Sequence, residues 1–163
     1  MLKSLLALSV SFWCLGAFAK TTEKSLGVGV ILGDPTALTA KAPLSDHRAV
    51  DFGFGYHWHD SVLFYGDYLF LFPGSFKTEN VEVNKIVPYV GVGAALALFQ
   101  SDQQKRIGDN EANAVFAGRI PLGLSWMIAE SPVELFAEVV PTIDVIPGLF
   151  FEVGGGLGVR IFF

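Results

Sequence analysis

The sequence predicts an all-β fold, an eight-stranded antiparallel up-and-down transmembrane β-barrel with a polar, charge-paired lumen. Three observations lead there. Apolar residues recur with a period of two in eight separate segments, which is the spacing of a strand with two unlike faces. Hydrophobic residues make up 52% of the chain and charged residues only 17%, with a mean hydropathy of +0.49, very apolar for a secreted soluble domain. Beyond the first residues, no uninterrupted apolar run reaches the ~20 residues that a membrane-spanning helix needs, so the apolar content is spread along strands.

The chain opens MLKSLLALSVSFWCLGAFAK. Lys3 supplies a basic n-region, Leu5 to Leu15 an apolar h-region, and Ala17-Phe18-Ala19 a small-x-small cleavage site. This is the pattern of a secretory signal peptide, residues 1–19, and it leaves residues 20–163 as one barrel domain. Cys14, the single cysteine, leaves with the signal; Trp13 before it is too large for a lipid-attachment site. An exported chain without cysteine cannot be a disulfide-stapled small domain. Subtracting Lys3 from the 11 basic residues leaves 10 against 16 acidic ones, a balance of −6, which argues against a nucleic-acid partner.

The elements follow in order. In the first strand Leu26, Val28, Val30 and Leu32 alternate with Gly27, Gly29 and Ile31; in the second Leu38, Ala40, Ala42 and Leu44 alternate with Thr39, Lys41 and Pro43. The third, VDFGFGYHWH, sets Val50, Phe52, Phe54, Tyr56 and Trp58 against Asp51, Gly53, Gly55, His57 and His59. The fourth opposes Phe64, Tyr68, Phe70 and Phe72 to Tyr65, Asp67 and Leu69. PYVGVGAALALF is the fifth, with Gly91, Gly93, Ala95 and Ala97 on its small face. The sixth sets Phe116, Ile120, Leu122, Leu124 and Trp126 against Arg119 and Ser125, and the seventh Val133, Leu135, Ala137 and Val139 against Glu134 and Glu138. The eighth ends the chain, with Phe151, Val153, Leu157, Val159, Ile161 and Phe163 opposite Glu152, Gly154, Gly156, Gly158 and Arg160. Turn signals separate them: GDPT, SDHR, HDS, the longer FPGSFKTENVEVN, the polar QSDQQKRIGDNEAN at 100–113, AESP and PG.

Which face points inward is decided by volume and charge. An eight-stranded barrel has room for packed side chains or one small ligand. The apolar parity holds a dozen aromatic residues besides many leucines and valines, and would overfill a lipocalin-like interior. The other parity carries the glycines and most mid-strand charges, and turning a basic residue toward mid-membrane lipid costs ~2 to 4 kcal/mol. The apolar face therefore points out. Approximate hairpin registers then place Lys41 opposite Asp51, Glu134 opposite Arg160, and Arg119 diagonal to Glu138 or Thr142, with Asp67 able to join the same group. These seven charges form an expected lumen network that fixes register and blocks free flow; the surplus acids Asp144 and Glu152 keep a proton or ion path open as an alternative.

With these features the chain resembles the eight-stranded outer-membrane barrels of the OmpA-transmembrane-domain and OmpX type, over essentially its whole mature length. The C-terminal strand GLGVRIFF is similar to the signal read by the outer-membrane assembly machinery, with Gly158, Ile161 and Phe163 at its glycine and hydrophobic positions and Gly156 where a larger polar residue is usual. The resemblance implies an integral protein of the outer membrane of a Gram-negative cell, both termini periplasmic, in contact with outer-membrane lipids and lipopolysaccharide. It places the turns at 33–36, 59–61, 100–113 and 147–148 outside, and only 100–113 is long enough to meet an external ligand.

Some barrels of this class acylate or deacylate lipid A with a serine and a histidine at the outer rim, which makes His57, His59 and Ser61 candidate catalytic residues here. They are adjacent along a tight turn, without the His-x-Ser-Asn arrangement of the deacylases, and a nucleophile needs both a base and an orienting group in reach. His57 and His59 offer two metal ligands where zinc wants three or four. The glycine runs open no helix, so phosphate-loop readings fail on context. The expectation is an integral, non-enzymatic barrel with a structural or surface-interaction role, no open pore, no cofactor and no metal. A lipid A-modifying enzyme and a narrow ion-conducting channel remain the alternatives.

Overall fold

Alternating β-branched, aromatic and leucine residues give each segment one face that suits an apolar surrounding, and Gly, Pro, Asp and Asn clusters stop it. The computed structural model describes residues 26–57, 61–99, 105–107, 110–112 and 114–163. The expected signal peptide lies outside the described residues, as do Trp58, His59 and Asp60. The strands are β1 (Gly27–Asp34), β2 (Thr36–Ser45), β3 (Arg48–His57), β4 (Ser61–Leu71), β5 (Ile86–Phe99), β6 (Lys105–Ile107), β7 (Asn110–Ala112), β8 (Ala114–Arg119), β9 (Leu122–Met127), β10 (Val133–Ile146) and β11 (Phe150–Phe162). Among the described residues no helix is long and apolar enough to cross a membrane.

Each long strand pairs antiparallel with its neighbour in sequence, and β11 pairs back onto β1, so the sheet closes into a ring. Closure matters because it leaves no backbone donor or acceptor on an open edge. β8 and β9 are two halves of one stave. Both pair with β5 on one side and β10 on the other in a continuous register, so the ring has eight staves and the sixth expected strand is cut in two. The cut falls at Pro121, which has no N–H to give. The ladder is carried across it by Gly91 N–H donating to Pro121 O at 2.8 Å and Ile120 N–H donating to Pro141 O at 2.9 Å.

The two faces sort as the parity predicts. Phe52, Phe54, Phe64, Phe116, Leu157 and Phe151 stand outward, with Leu157 69% exposed, while Lys41, Asp51, Arg119, Glu134 and Arg160 are buried inside. Phe54 and Phe64 are direct cross-strand partners on the outer face, with ring centroids 4.8 Å apart.

Glycines shape the inner face by pairing with large neighbours. Gly27 lies opposite Phe162, Gly53 opposite Tyr65, Gly123 opposite Tyr89 and Gly158 opposite Phe136. In each pair the ring lies over the glycine, where a Cβ would collide with it. Four bulky inward rings thus fit a narrow lumen because each lies flat on a residue without a side chain. Together with Ile31, Leu63, Leu69 and small alanines they form its apolar filling.

The two ends of the described chain, Leu26 and Phe163, and the turns between β2 and β3, β4 and β5, and β9 and β10 share one end of the barrel. The β4–β5 connection is the long one there. It ends in a 3₁₀ turn, Val83–Lys85, and is braced by Asn84, whose side chain accepts from Thr78 N–H at 2.9 Å and donates to Thr78 O at 2.8 Å. At the opposite end β6 and β7 form a short hairpin within the 100–113 segment.

Candidate functional site

The inward charges come together in two tiers. The first is built on β2, β3, β10 and β11. Register puts Lys41 opposite Asp51 and Glu134 opposite Arg160. Glu134 and Arg160 meet directly, Nη1 donating to Oε2 at 3.1 Å. Lys41, however, does not bind the residue it faces: its Nζ donates to Glu134 Oε1 at 2.6 Å, across β1 and β11. Asp51 takes its charge partner from Arg160 Nη2 instead, and accepts from the Thr39 hydroxyl at 2.9 Å. Arg160 also donates to Thr39 Oγ1 from Nη2 at 2.9 Å and from Nε at 3.3 Å.

β1 makes this exchange of partners possible. Gly29 is flanked in the ladder by Thr39 on β2 and Arg160 on β11, and Gly27 by Lys41 and Phe162. With no side chain on β1 at these levels, groups on strands two and three places apart reach each other over it. A Cβ on Gly29 would run into the Val159 carbonyl, so the position also sets how closely β11 approaches. The Arg160 guanidinium stacks 3.7 Å from the Phe136 ring centre, which covers it from the apolar side.

The second tier lies nearer the end opposite the termini. Arg119 approaches Asp67, Nε to Oδ1 at 3.0 Å, and Glu138, Nη2 to Oε1 at 3.9 Å, while its guanidinium lies 3.9 Å from the Tyr65 ring centre. Tyr89 donates its hydroxyl proton to Glu138 Oε2 at 2.9 Å. The Arg119–Asp67 contact is close but misaligned: Arg119 Nε and Nη2 and Asp67 Oδ1 have no hydrogen-bond partner among the described residues. Attraction between charges needs only proximity, whereas a hydrogen bond also needs direction. Register places Arg119 opposite Thr142 rather than Glu138, so its Glu138 contact is the diagonal one.

Three cations and four carboxylates therefore fill the middle of the lumen, all of them almost fully buried. Beyond the second tier the lumen widens into a cavity of about 290 Å³ at the end opposite the termini, whose lining includes Asp34, Ser61, Arg119, Thr142, Asp144 and Glu152.

The rim candidates fare differently. His57 ends β3 and pairs in register with Ser61, but its side chain lies outside the described residues, as does all of His59. Ser61 is buried inside the barrel, and its Oγ has no hydrogen-bond partner among the described residues. No cluster of metal-ligating residues occurs among the described residues. At the C-terminus, Gly158 lies under Phe136, and Ile161 and Phe163 face outward.

Thr39, Tyr65, Tyr89 and Phe136 complete the tiers and were not among the residues singled out from the sequence. Their signal is positional: Thr39 and Tyr65 share the charged parity of their strands, and all four lie opposite an inward glycine.

The fold is similar to a solved one, the N-terminal β-barrel domain of Pseudomonas aeruginosa OprF, with a TM-score of 0.62 and 17% identity over 88% of this chain and 100% of that one. No curated protein sequence matches the chain. A small outer-membrane type of β-barrel is thus the architecture that sequence and structure share. The profile of a protein family described as "Protein of unknown function (DUF3996)" matches residues 18–155, and the chain belongs to that family.

Proposed function

We propose that the protein is an integral outer-membrane barrel, non-conducting and non-enzymatic, that stabilises the membrane or presents a modest outer surface, with both termini in the periplasm. The observation that carries this reading is the lumen: two tiers of ion pairs, with four aromatic rings laid over glycines, occupy the cross-section of a ring too small for an open channel. The outward apolar face supports contact with lipid and lipopolysaccharide, and Gly158, Ile161 and Phe163 suit recognition by the assembly machinery. The 100–113 segment is the natural place for an external ligand, because it is the long connection at the end opposite the termini.

Reconstitution in planar bilayers tests the reading. The expected result is heat-dependent mobility on gels, as for a folded barrel, and no steady conductance. A steady open-pore current would overturn the sealed lumen. Mass spectrometry of lipid A from cells with and without the gene is expected to give identical spectra, and a shifted acyl pattern would restore the enzyme reading.

A further inference from the structure

The cavity at the end opposite the termini is lined by carboxylates that lie outside the two lumen tiers. Asp34, Asp144 and Glu152 line it, and among the described lining residues Arg119, at its inner end, is the cation. That cation is already faced by Asp67 and Glu138 from below. A second observation points into the same space. Ser61 is 1% exposed, on the inward parity of β4, and its hydroxyl oxygen lacks a hydrogen-bond partner among the described residues. A buried hydroxyl left in that state is costly unless a group in the cavity satisfies it.

We propose that this cavity binds a primary alkylammonium group, carried either by a free diamine or by a lysine side chain of a peptide. The chemistry follows from what the lining offers. An ammonium has three donors and no acceptor, and the cavity offers carboxylates on β1, β10 and β11 together with the Ser61 oxygen on β4. Thr142, also in the lining, donates its hydroxyl proton to Val140 O at 3.4 Å, which leaves its oxygen lone pairs able to accept. Each carboxylate has about four lone-pair sites, so contacts within the chain leave it able to accept a further donor.

A bare metal ion fits less well. Among the described residues the carboxylates are not grouped closely enough for one ion's coordination shell. A cation with directional donors and an extended body spans separated acceptors better. The remaining wall supplies a place for that body: Leu63, Val115, Val140 and Ala97 present methyl and methylene surface beside the acids. The volume, about 290 Å³, is near the lower end of small-ligand sites, which suits a short alkyl chain. The proposal needs the barrel fold only and does not depend on the membrane orientation or the sealed lumen.

The test is calorimetric titration of the folded mature chain in detergent micelles. The probes are 1,4-diaminobutane and, separately, a short peptide with one lysine, each with magnesium chloride at matched ionic strength as competitor. Saturable one-to-one binding at a Kd of about 1 mM or tighter is expected. Asp144→Asn and Glu152→Gln should each weaken it by about tenfold, and Ser61→Ala by a smaller factor. Binding of the diamine alone assigns a free amine, and of the peptide alone a protein partner; either supports the ammonium site. Heat-dependent gel mobility reports folding of each variant, and Glu152→Gln on β11 serves if Asp144→Asn on β10 does not fold. Absence of saturable heat, full displacement by magnesium, or equal affinity in all folded variants would overturn the proposal.

Discussion

Replacing Arg160 by methionine probes the first charge tier, keeping an unbranched apolar stem and removing the guanidinium. Arg160 donates to Glu134, Asp51 and Thr39, and packs on Phe136. Without it, Glu134 keeps Lys41 at 2.6 Å, but Asp51 keeps only the Thr39 hydroxyl at 2.9 Å. The variant thus leaves one carboxylate buried without a cation. Breaking a buried pair by removing one partner costs about 3 to 5 kcal/mol, whereas replacing the whole group by apolar residues can be nearly neutral. Arg160→Met should therefore destabilise the barrel by about 3 to 5 kcal/mol, and Asp51→Asn added to it should recover a sizeable part. Urea unfolding in lipid vesicles, followed by tryptophan fluorescence, reads both effects. With a slope of about 2 kcal/mol/M the single variant lowers the midpoint by about 2 M. If Arg160→Met costs less than about 1 kcal/mol, or if Asp51→Asn is equally harmful with and without Arg160, the tier is not the coupled unit described and the reasoning fails.

Other predictions test different parts of the molecule. Leu157→Arg places a cation on the outer face; a membrane barrel should lose ~2 to 4 kcal/mol in vesicle unfolding if the site lies near the midplane, whereas a surface change on a soluble barrel stays within about 0.5 kcal/mol. Gly53→Ala forces a methyl into the Tyr65 ring and should cost about 1 to 3 kcal/mol, largely relieved by Tyr65→Leu in a double-mutant cycle; additive losses would show that the ring does not rest on the glycine. Gly29→Ala should be more damaging than Gly118→Ala, because the first Cβ meets backbone and the second meets nothing within 4 Å; comparable folded yields would count against the close β1–β11 approach. Deleting Phe163 should reduce the heat-modifiable fraction recovered from outer membranes while leaving refolding in detergent intact; unchanged membrane yield would remove it from the assembly signal.

Much of the architecture was legible because both its signals are local. A strand alternates its side chains between two faces, so parity alone sorted Val50 through Tyr56 and Phe151 through Ile161 into outward and inward sets. Tight turns set register by counting, so the hairpin around Asp46 gave Lys41 opposite Asp51, and the one around Pro147 gave Glu134 opposite Arg160. The halving of the sixth stave was less visible, since Pro121 interrupts hydrogen bonding without changing parity.

The eight staves, the outward apolar face and the neighbours along each hairpin were thus set in the sequence, because these depend on residues close together in the chain. Only closure of the ring decided who binds whom inside it. Joining β1 to β11 brings Lys41 within reach of Glu134 and Arg160 within reach of Thr39 and Asp51, over a strand whose inner face at those levels is glycine. In a lumen a few side chains wide, contacts are made across the barrel as readily as along its wall. A list of cross-strand pairs therefore specifies the wall but leaves the charge partners, the stacked rings and the cavity lined by Asp34, Asp144 and Glu152 to the three-dimensional arrangement.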